Sequence, residues 1–178
     1  MDFIPVCEPF LNGNELKYIT EVVKTGWISS SGKYVREFED RFARYCGAKY
    51  GVGACNGTVA LHLADVAAGI KRGDAVIIPD FTMVSSAFSR CYAGAKSVFV
   101  DAEPDSWNID PEKIEEKITP KTKAIMPVSI FGHPCEMDKI WAIAKKYGLT
   151  VIEDAAESHG AEYKGKKTGS LADITAFS

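Results

Sequence analysis

Val151-Ile152-Glu153-Asp154-Ala155-Ala156-Glu157-Ser158-His159-Gly160 is the stretch that decides how this chain folds. Val151 and Ile152 are apolar and β-branched, the pattern of a short central strand covered on both faces by helices. The strand delivers Asp154 and Glu157 into a loop of small residues, where a bulky ligand has room to approach. In open parallel α/β sheets ligands bind beyond the carboxyl ends of the strands, so a site is expected here. Partly buried carboxylates are costly unless a cation or a hydrogen-bond donor meets them. A protonated heterocycle nitrogen would serve, and a pair of structural caps is the plainer alternative.

Outward from this stretch the chain alternates. Short β-like runs at Tyr50–Ala54, Ala75–Pro79, Lys96–Val100, Ala124–Val128 and Leu149–Glu153 are separated by amphipathic stretches at Val59–Ala68, Met83–Tyr92, Pro111–Ile118 and Met137–Tyr147. Glycines at 69, 94 and 148 close three of them. Such alternation predicts a largely parallel sheet between helices. Two helices come first: Leu16, Ile19, Val22 and Val23 have helical spacing up to Gly26, and Val35, Phe38, Phe42 and Tyr45 up to Gly47. Tyr163–Gly169 reads as a charged hairpin leading to a last strand near Ile174–Phe177.

The 178 residues fit one domain with at most an appendage, and a hydrophobic content of 46% can bury a real core. Basic and acidic residues, 21 and 24, are mixed along the length for a net charge of -3, and no basic block exists to neutralise a phosphate backbone, which argues against nucleic acid. No segment approaches the ~18 apolar residues of a membrane span. Met1-Asp2-Phe3-Ile4-Pro5 lacks the charge and apolar pattern of a secretory leader, so the reading is cytoplasmic. Cys7, Cys46, Cys55, Cys91 and Cys135 are odd in number and without a C-x-x-C pair, and are expected to be buried reduced thiols.

Beyond the first expected strand, Cys55-Asn56-Gly57-Thr58 opens a helix. That places free backbone N–H groups, a hydroxyl and the positive helix end around an anion such as a phosphate. An ordinary helix N-cap with a glycine turn would look the same. The run Gly51–Gly57 nearly spells a dinucleotide fingerprint, but Asn56 stands where G-x-G-x-x-G needs its third glycine. Phe81, in Asp80-Phe81-Thr82 after the second strand, could lie against a planar ring or simply pack in the core. His62 and His133 have no partners at metal-ligand spacing and read as structural, and no metal site is expected. His159 is near the carboxylates and open to either reading. Lys164, Lys166 and Lys167 read as a solvated turn.

Taken together, five segments resemble the DegT/StrS-type family of pyridoxal-phosphate-dependent sugar aminotransferases over essentially the whole chain. They are Gly26-Trp27-Ile28-Ser29, Asn56–Leu63, Phe131–Met137, Glu153–Glu157 and Asp173–Ser178. The resemblance implies the large domain of a fold type I (aspartate-aminotransferase-like) transferase, α/β with a mostly parallel sheet between helices, acting as a homodimer. It implies that Gly57 and Thr58 bind the cofactor phosphate, Phe81 stacks on the ring, and Asp154 pairs with the ring nitrogen. Glu157 would face the phenolic oxygen, and Ser178 would give its hydroxyl to the phosphate. A carboxylate at the ring nitrogen keeps it protonated, which lets electrons delocalise into the ring.

Glu157, where many relatives carry glutamine, and Trp27-Ile28-Ser29-Ser30 resemble the perosamine synthetase branch. That branch would take an amino group from glutamate and aminate C4 of a GDP-linked 4-keto-6-deoxy sugar. The family's Schiff-base lysine lies a few residues beyond the position matching Ser178. Residues 1–178 would therefore be the N-terminal segment plus most of the cofactor-binding large domain, without the C-terminal small domain, and inactive alone. A related 3-dehydratase of a GDP-4-keto-6-deoxy sugar carries histidine at the lysine position and remains an alternative. So do a noncatalytic domain of the same fold and a nucleotide-sugar oxidoreductase.

Overall fold

The computed structural model describes residues 3–5 and 8–178. The chain divides into two compact units, residues 1–38 and 39–178. The first contains α1 (Glu15–Thr25), which Gly26 closes in the left-handed conformation with its N–H on the Val23 carbonyl. The start of α2 (Lys33–Cys46) also belongs to it. Here the Glu21 carboxylate meets Lys33 and accepts from the Tyr34 hydroxyl at 2.5 Å.

The second unit is built on a five-stranded sheet. Its strands are β1 (Ala75–Pro79), β2 (Lys96–Val100), β3 (Thr122–Ile125), β4 (Thr150–Asp154) and β7 (Ile174–Ala176), in the order β2-β1-β3-β4-β7. Every pairing is parallel, as expected for strands returned by helical crossovers. The helices are α3 (Gly57–Ala67), α4 (Ser85–Ala93) and α5 (Met137–Tyr147). A short hairpin, β5 (Glu162–Tyr163) with β6 (Lys166–Lys167), turns through Lys164 and Gly165, both at positive φ.

Alternation along the central strands sorts the core onto two faces. Ile77, Ile125 and Val151 pack with Met137, Ile140, Ile143 and Ala144 of α5. Val76, Ile78, Ala124, Met126 and Ile152 pack with Leu61 and Ala64 of α3. β1 is buried along its whole length, and each such Val or Ile contributes on the order of 1.5–3 kcal/mol. The apolar reading of β1 and β4 is thus explained by cover on both sides.

Three expectations need correction. Tyr50–Ala54 is not a strand: Tyr50 and Val52 are exposed, and the Gly53 N–H donates to the Glu39 carboxylate at 2.7 Å instead of to a neighbouring strand. Pro111–Ile118 is not one helix but two single-turn 3-10 segments, Pro111–Lys113 and Glu115–Lys117. Asp110 caps the Glu112 N–H at 3.0 Å, and the backbone turns extended at Ile118, ahead of Pro120, so neither turn can propagate. The described cysteines are free thiols, but only Cys46 and Cys135 are buried. Cys55 sits in the open loop before α3 and Cys91 on the outer face of α4, while Cys7 lies outside the described residues. Among the described residues no helix is long and apolar enough to cross a membrane.

Candidate ligand-binding cleft

The N-terminus of α3, the carboxyl end of β4 and the segment after β7 meet around a cleft of about 240 Å³. At one end, Asn56 caps α3 by accepting the Val59 N–H on its side chain at 3.0 Å and the Ala60 N–H on its carbonyl at 3.0 Å. The N–H groups of Gly57 and Thr58 are left for a ligand, at the positive end of the helix. Ser178 closes this end. A Cβ on Gly57 would stand 2.7 Å from the Ser178 Cβ and 2.8 Å from its Oγ, so only glycine lets the helix start and the serine hydroxyl share the space. Backbone donors, two hydroxyls and a helix N-terminus fit a phosphate.

At the other end lies Asp154, only 4% exposed at the tip of β4. Its carboxylate accepts from the Ser86 hydroxyl at 2.7 Å and from the Ala156 N–H at 3.2 Å. The single Ser86 proton goes to Asp154, so the Thr82 hydroxyl, 2.9 Å from Ser86, donates in turn to Ser86. Burial pushes the Asp154 carboxyl above the usual carboxylate range; Ser86, Ala156 and the Arg90 charge oppose the shift, and Glu157 adds to it. Such a carboxylate is short of positive charge, and a cationic ring nitrogen would supply it.

Glu153, next along β4, faces the opposite side of the sheet and takes no part. It is fully buried and accepts from Ser129, Gly169 N–H and Thr175 at 3.2–3.3 Å. Glu157 lines the cleft, but its carboxylate accepts the Phe131 N–H at 2.6 Å. It thereby ties down the loop in which Phe131 holds a left-handed conformation, φ 48.

Of the six residues singled out from sequence, Gly57, Thr58, Asp154, Glu157 and Ser178 line one cleft. Phe81 is not part of the lining. It stands among Trp107 and Phe131, with ring centroids at 5.4 and 6.2 Å, in a cluster of three partly exposed aromatics. His159 is exposed and packs on Phe42 and Phe177, and His62 packs on Tyr92, so neither joins the lining. Sequence reading passed over Ser86, whose hydroxyl meets Asp154, and the buried pair Asp65 and Arg90 behind it. Asp65 did leave a trace: it follows Leu61 by one turn, on the face α3 buries, where a carboxylate is costly without a cation or donor to meet it.

An anion cradle facing a buried carboxylate, at the carboxyl edge of a parallel sheet, has the chemistry that suits a phosphorylated, cationic heterocycle. The chain belongs to the DegT/DnrJ/EryC1/StrS aminotransferase family, whose model matches residues 9–178. It is similar to the GDP-perosamine synthase of Caulobacter vibrioides, 53% identical over 98% of this chain and 47% of that protein. With the GDP-perosamine synthase of Escherichia coli O157:H7 it shares 47% identity over 100% of this chain and 49% of that one. A Streptococcus pneumoniae protein solved in its PLP form superposes with a TM-score of 0.94 at 30% identity, covering 98% of this chain and 48% of that chain. The chain spans about half the length of these relatives.

Proposed function

We propose that the chain supplies the cofactor-binding part of a pyridoxal-phosphate-dependent aminotransferase of nucleotide-linked 4-keto-6-deoxy sugars, with GDP as the nucleotide and glutamate as amino donor. The observation that carries this reading is the meeting of the α3 anion cradle and the buried Asp154 in one cleft. Identity to GDP-perosamine synthases over nearly the whole chain supports the sugar. In this reading residues 1–178 comprise the N-terminal segment and most of the large domain.

When bound, pyridoxal phosphate supplies an electron sink for the bonds at the substrate's amino carbon. The chain's residues hold and tune it. Gly57 and Thr58 N–H, the Thr58 hydroxyl and the Ser178 hydroxyl bind the phosphate, and the α3 dipole favours its charge. Asp154 keeps a proton on the ring nitrogen, a charge-assisted hydrogen bond made stronger by burial. Glu157, held by the Phe131 N–H, limits the space at the ring's phenolic side, and Phe81 in its aromatic cluster is proposed to cover the ring face. The lining offers hydroxyls, amides and carboxylates. The reactive amine is proposed to come from a lysine beyond Ser178, so that residues 1–178 alone bind cofactor without turnover.

The exposed apolar side chains of Val59, Leu63 and Val66 on α3, with Met83, Val84 and Phe88 around the start of α4, support a homodimer. The free thiols agree with a reducing, cytoplasmic setting. The test is to incubate the whole protein with pyridoxal phosphate, glutamate and a GDP-linked 4-keto-6-deoxyhexose, with the dTDP-linked sugar in parallel, and follow the products by mass spectrometry. A GDP-linked 4-amino sugar is expected. Amination of the dTDP sugar alone would refute the nucleotide, and loss of the 3-hydroxyl without amination would refute the reaction.

A further inference from the structure

Behind the cleft lies a buried ion pair that cofactor binding as described does not use. Asp65 on α3 and Arg90 on α4 are both inaccessible to solvent, with a guanidinium nitrogen 3.2 Å from the carboxylate. Neither is fully satisfied: both Asp65 oxygens and the Arg90 Nε lack a hydrogen-bond partner. Burying two charges this incompletely is a poor way to join two helices, since apolar residues of similar volume often do as well or better. One further contact of Arg90 goes to the Met126 Sδ in the core at 2.6 Å, and the others lead along α4 toward Ser86. Its guanidinium donates to the Ser86 carbonyl and the Ser89 hydroxyl. Ser86 is therefore held at its backbone by Arg90, while its hydroxyl, receiving from Thr82, donates to Asp154.

We propose that Arg90 is a positioning residue which, with Asp65 behind it and Ser86 in front, keeps Asp154 charged and aimed at the ring nitrogen of pyridoxal phosphate. The inference rests on the cofactor reading above. Formal charges support it. Asp65, Arg90 and Asp154 sum to -1, and a protonated ring brings the buried group to neutrality. Arg90 faces Asp154 from α4, and Glu157 faces it from the loop beyond β4. Glu153 lies on the opposite face of β4, while Asp65 and His62 stand on α3 beyond the guanidinium. Arg90 is thus the cation of this set that lies buried with both aspartates, and its removal leaves Asp154 with hydrogen bonds but no opposing charge until the ring arrives.

The experiment measures dissociation constants of pyridoxal phosphate and of its 1-deaza analogue, in which carbon replaces the ring nitrogen, across pH by equilibrium dialysis of the whole protein. The ratio of the two isolates the interaction with Asp154 from the phosphate and stacking contacts. Wild type should prefer pyridoxal phosphate by roughly tenfold or more, as a charge-assisted hydrogen bond implies. The Asp65→Leu/Arg90→Met double variant leaves no stranded charge between α3 and α4, Asp154 keeping its hydrogen bonds, and Ser86→Ala removes only a hydroxyl, so both should fold. In both, the preference should shrink several-fold at neutral pH and set in at a higher pH, while binding of the deaza analogue stays the same. An undiminished preference with an unshifted profile in both folded variants overturns the proposal and reduces the pair to a helix tether. A wild type that binds both compounds equally, or neither, overturns the cofactor reading together with it.

Discussion

At the residue scale, Asp154 carries opposite demands. Burial raises its carboxyl above the usual range, so the folded chain holds that proton more tightly than the unfolded chain does. Stability of the cofactor-free protein therefore falls as pH rises from the unfolded value through the folded one, and is level above it. Glu153, also raised chiefly by burial, acts with the same sign. Asp154→Asn removes the charge while retaining an oxygen for Ser86. It is expected to raise the melting temperature of the cofactor-free protein by a few degrees above that window, and by less below it. The same variant should bind pyridoxal phosphate roughly tenfold or more weakly, since charge-assisted hydrogen bonds are worth about 1.5–3 kcal/mol. Calorimetry at several pH values with dialysis on the same samples checks both. Gly57→Ala tests the other end of the cleft: its Cβ meets Ser178, which must shift, so phosphate-dependent affinity should fall about tenfold with little change in melting temperature.

At the element scale, α3 and α4 are joined across their buried faces by Asp65 and Arg90. Arg90→Met alone strands a buried carboxylate and should destabilise by about 3–5 kcal/mol. Adding Asp65→Leu should recover most of that loss, a coupling that a double-mutant cycle in urea would expose. Equal destabilisation by the single and double variants would show that the pair is not coupled. At the end of α5, Gly148 is left-handed at φ 65 with its N–H on the Ala144 carbonyl. Gly148→Ala places a Cβ in that conformation at about 1–2 kcal/mol. For a chain of this size that amounts to roughly 2–4 °C in melting temperature per kcal/mol, read by thermal denaturation.

At the scale of the whole molecule, cofactor binding and stability are linked, because a ligand that binds only the folded state stabilises it by RT ln(1 + [L]/Kd). Pyridoxal phosphate at about a hundred times its dissociation constant should add roughly 2.7 kcal/mol. Asp154→Ala, weakening binding tenfold or more, should remove about half of that gain or more at the same concentration, measured as the cofactor-induced rise in melting temperature. The sequence by itself determined the α/β alternation, because β1 and β4 are apolar on both sides and glycine closes α1, α4 and α5; those signals are local. It also singled out Asn56-Gly57-Thr58 and Asp154, each from its own local pattern of helix cap with glycine or strand end, and the fold brings Gly57, Thr58 and Asp154 to one cleft. It misjudged Tyr50–Ala54, where β-like composition found no strand to pair with, and Pro111–Ile118, where helical spacing was overridden by local caps and prolines. Only the tertiary structure decided that Glu157 is held by Phe131, that Phe81 stands in an aromatic cluster beside the lining, and that Arg90 connects to Asp154 through Ser86. Those partners lie 26 to 68 positions apart, and which side chains meet at such distances is set by how helices cover the sheet, a matter of packing that no local pattern encodes.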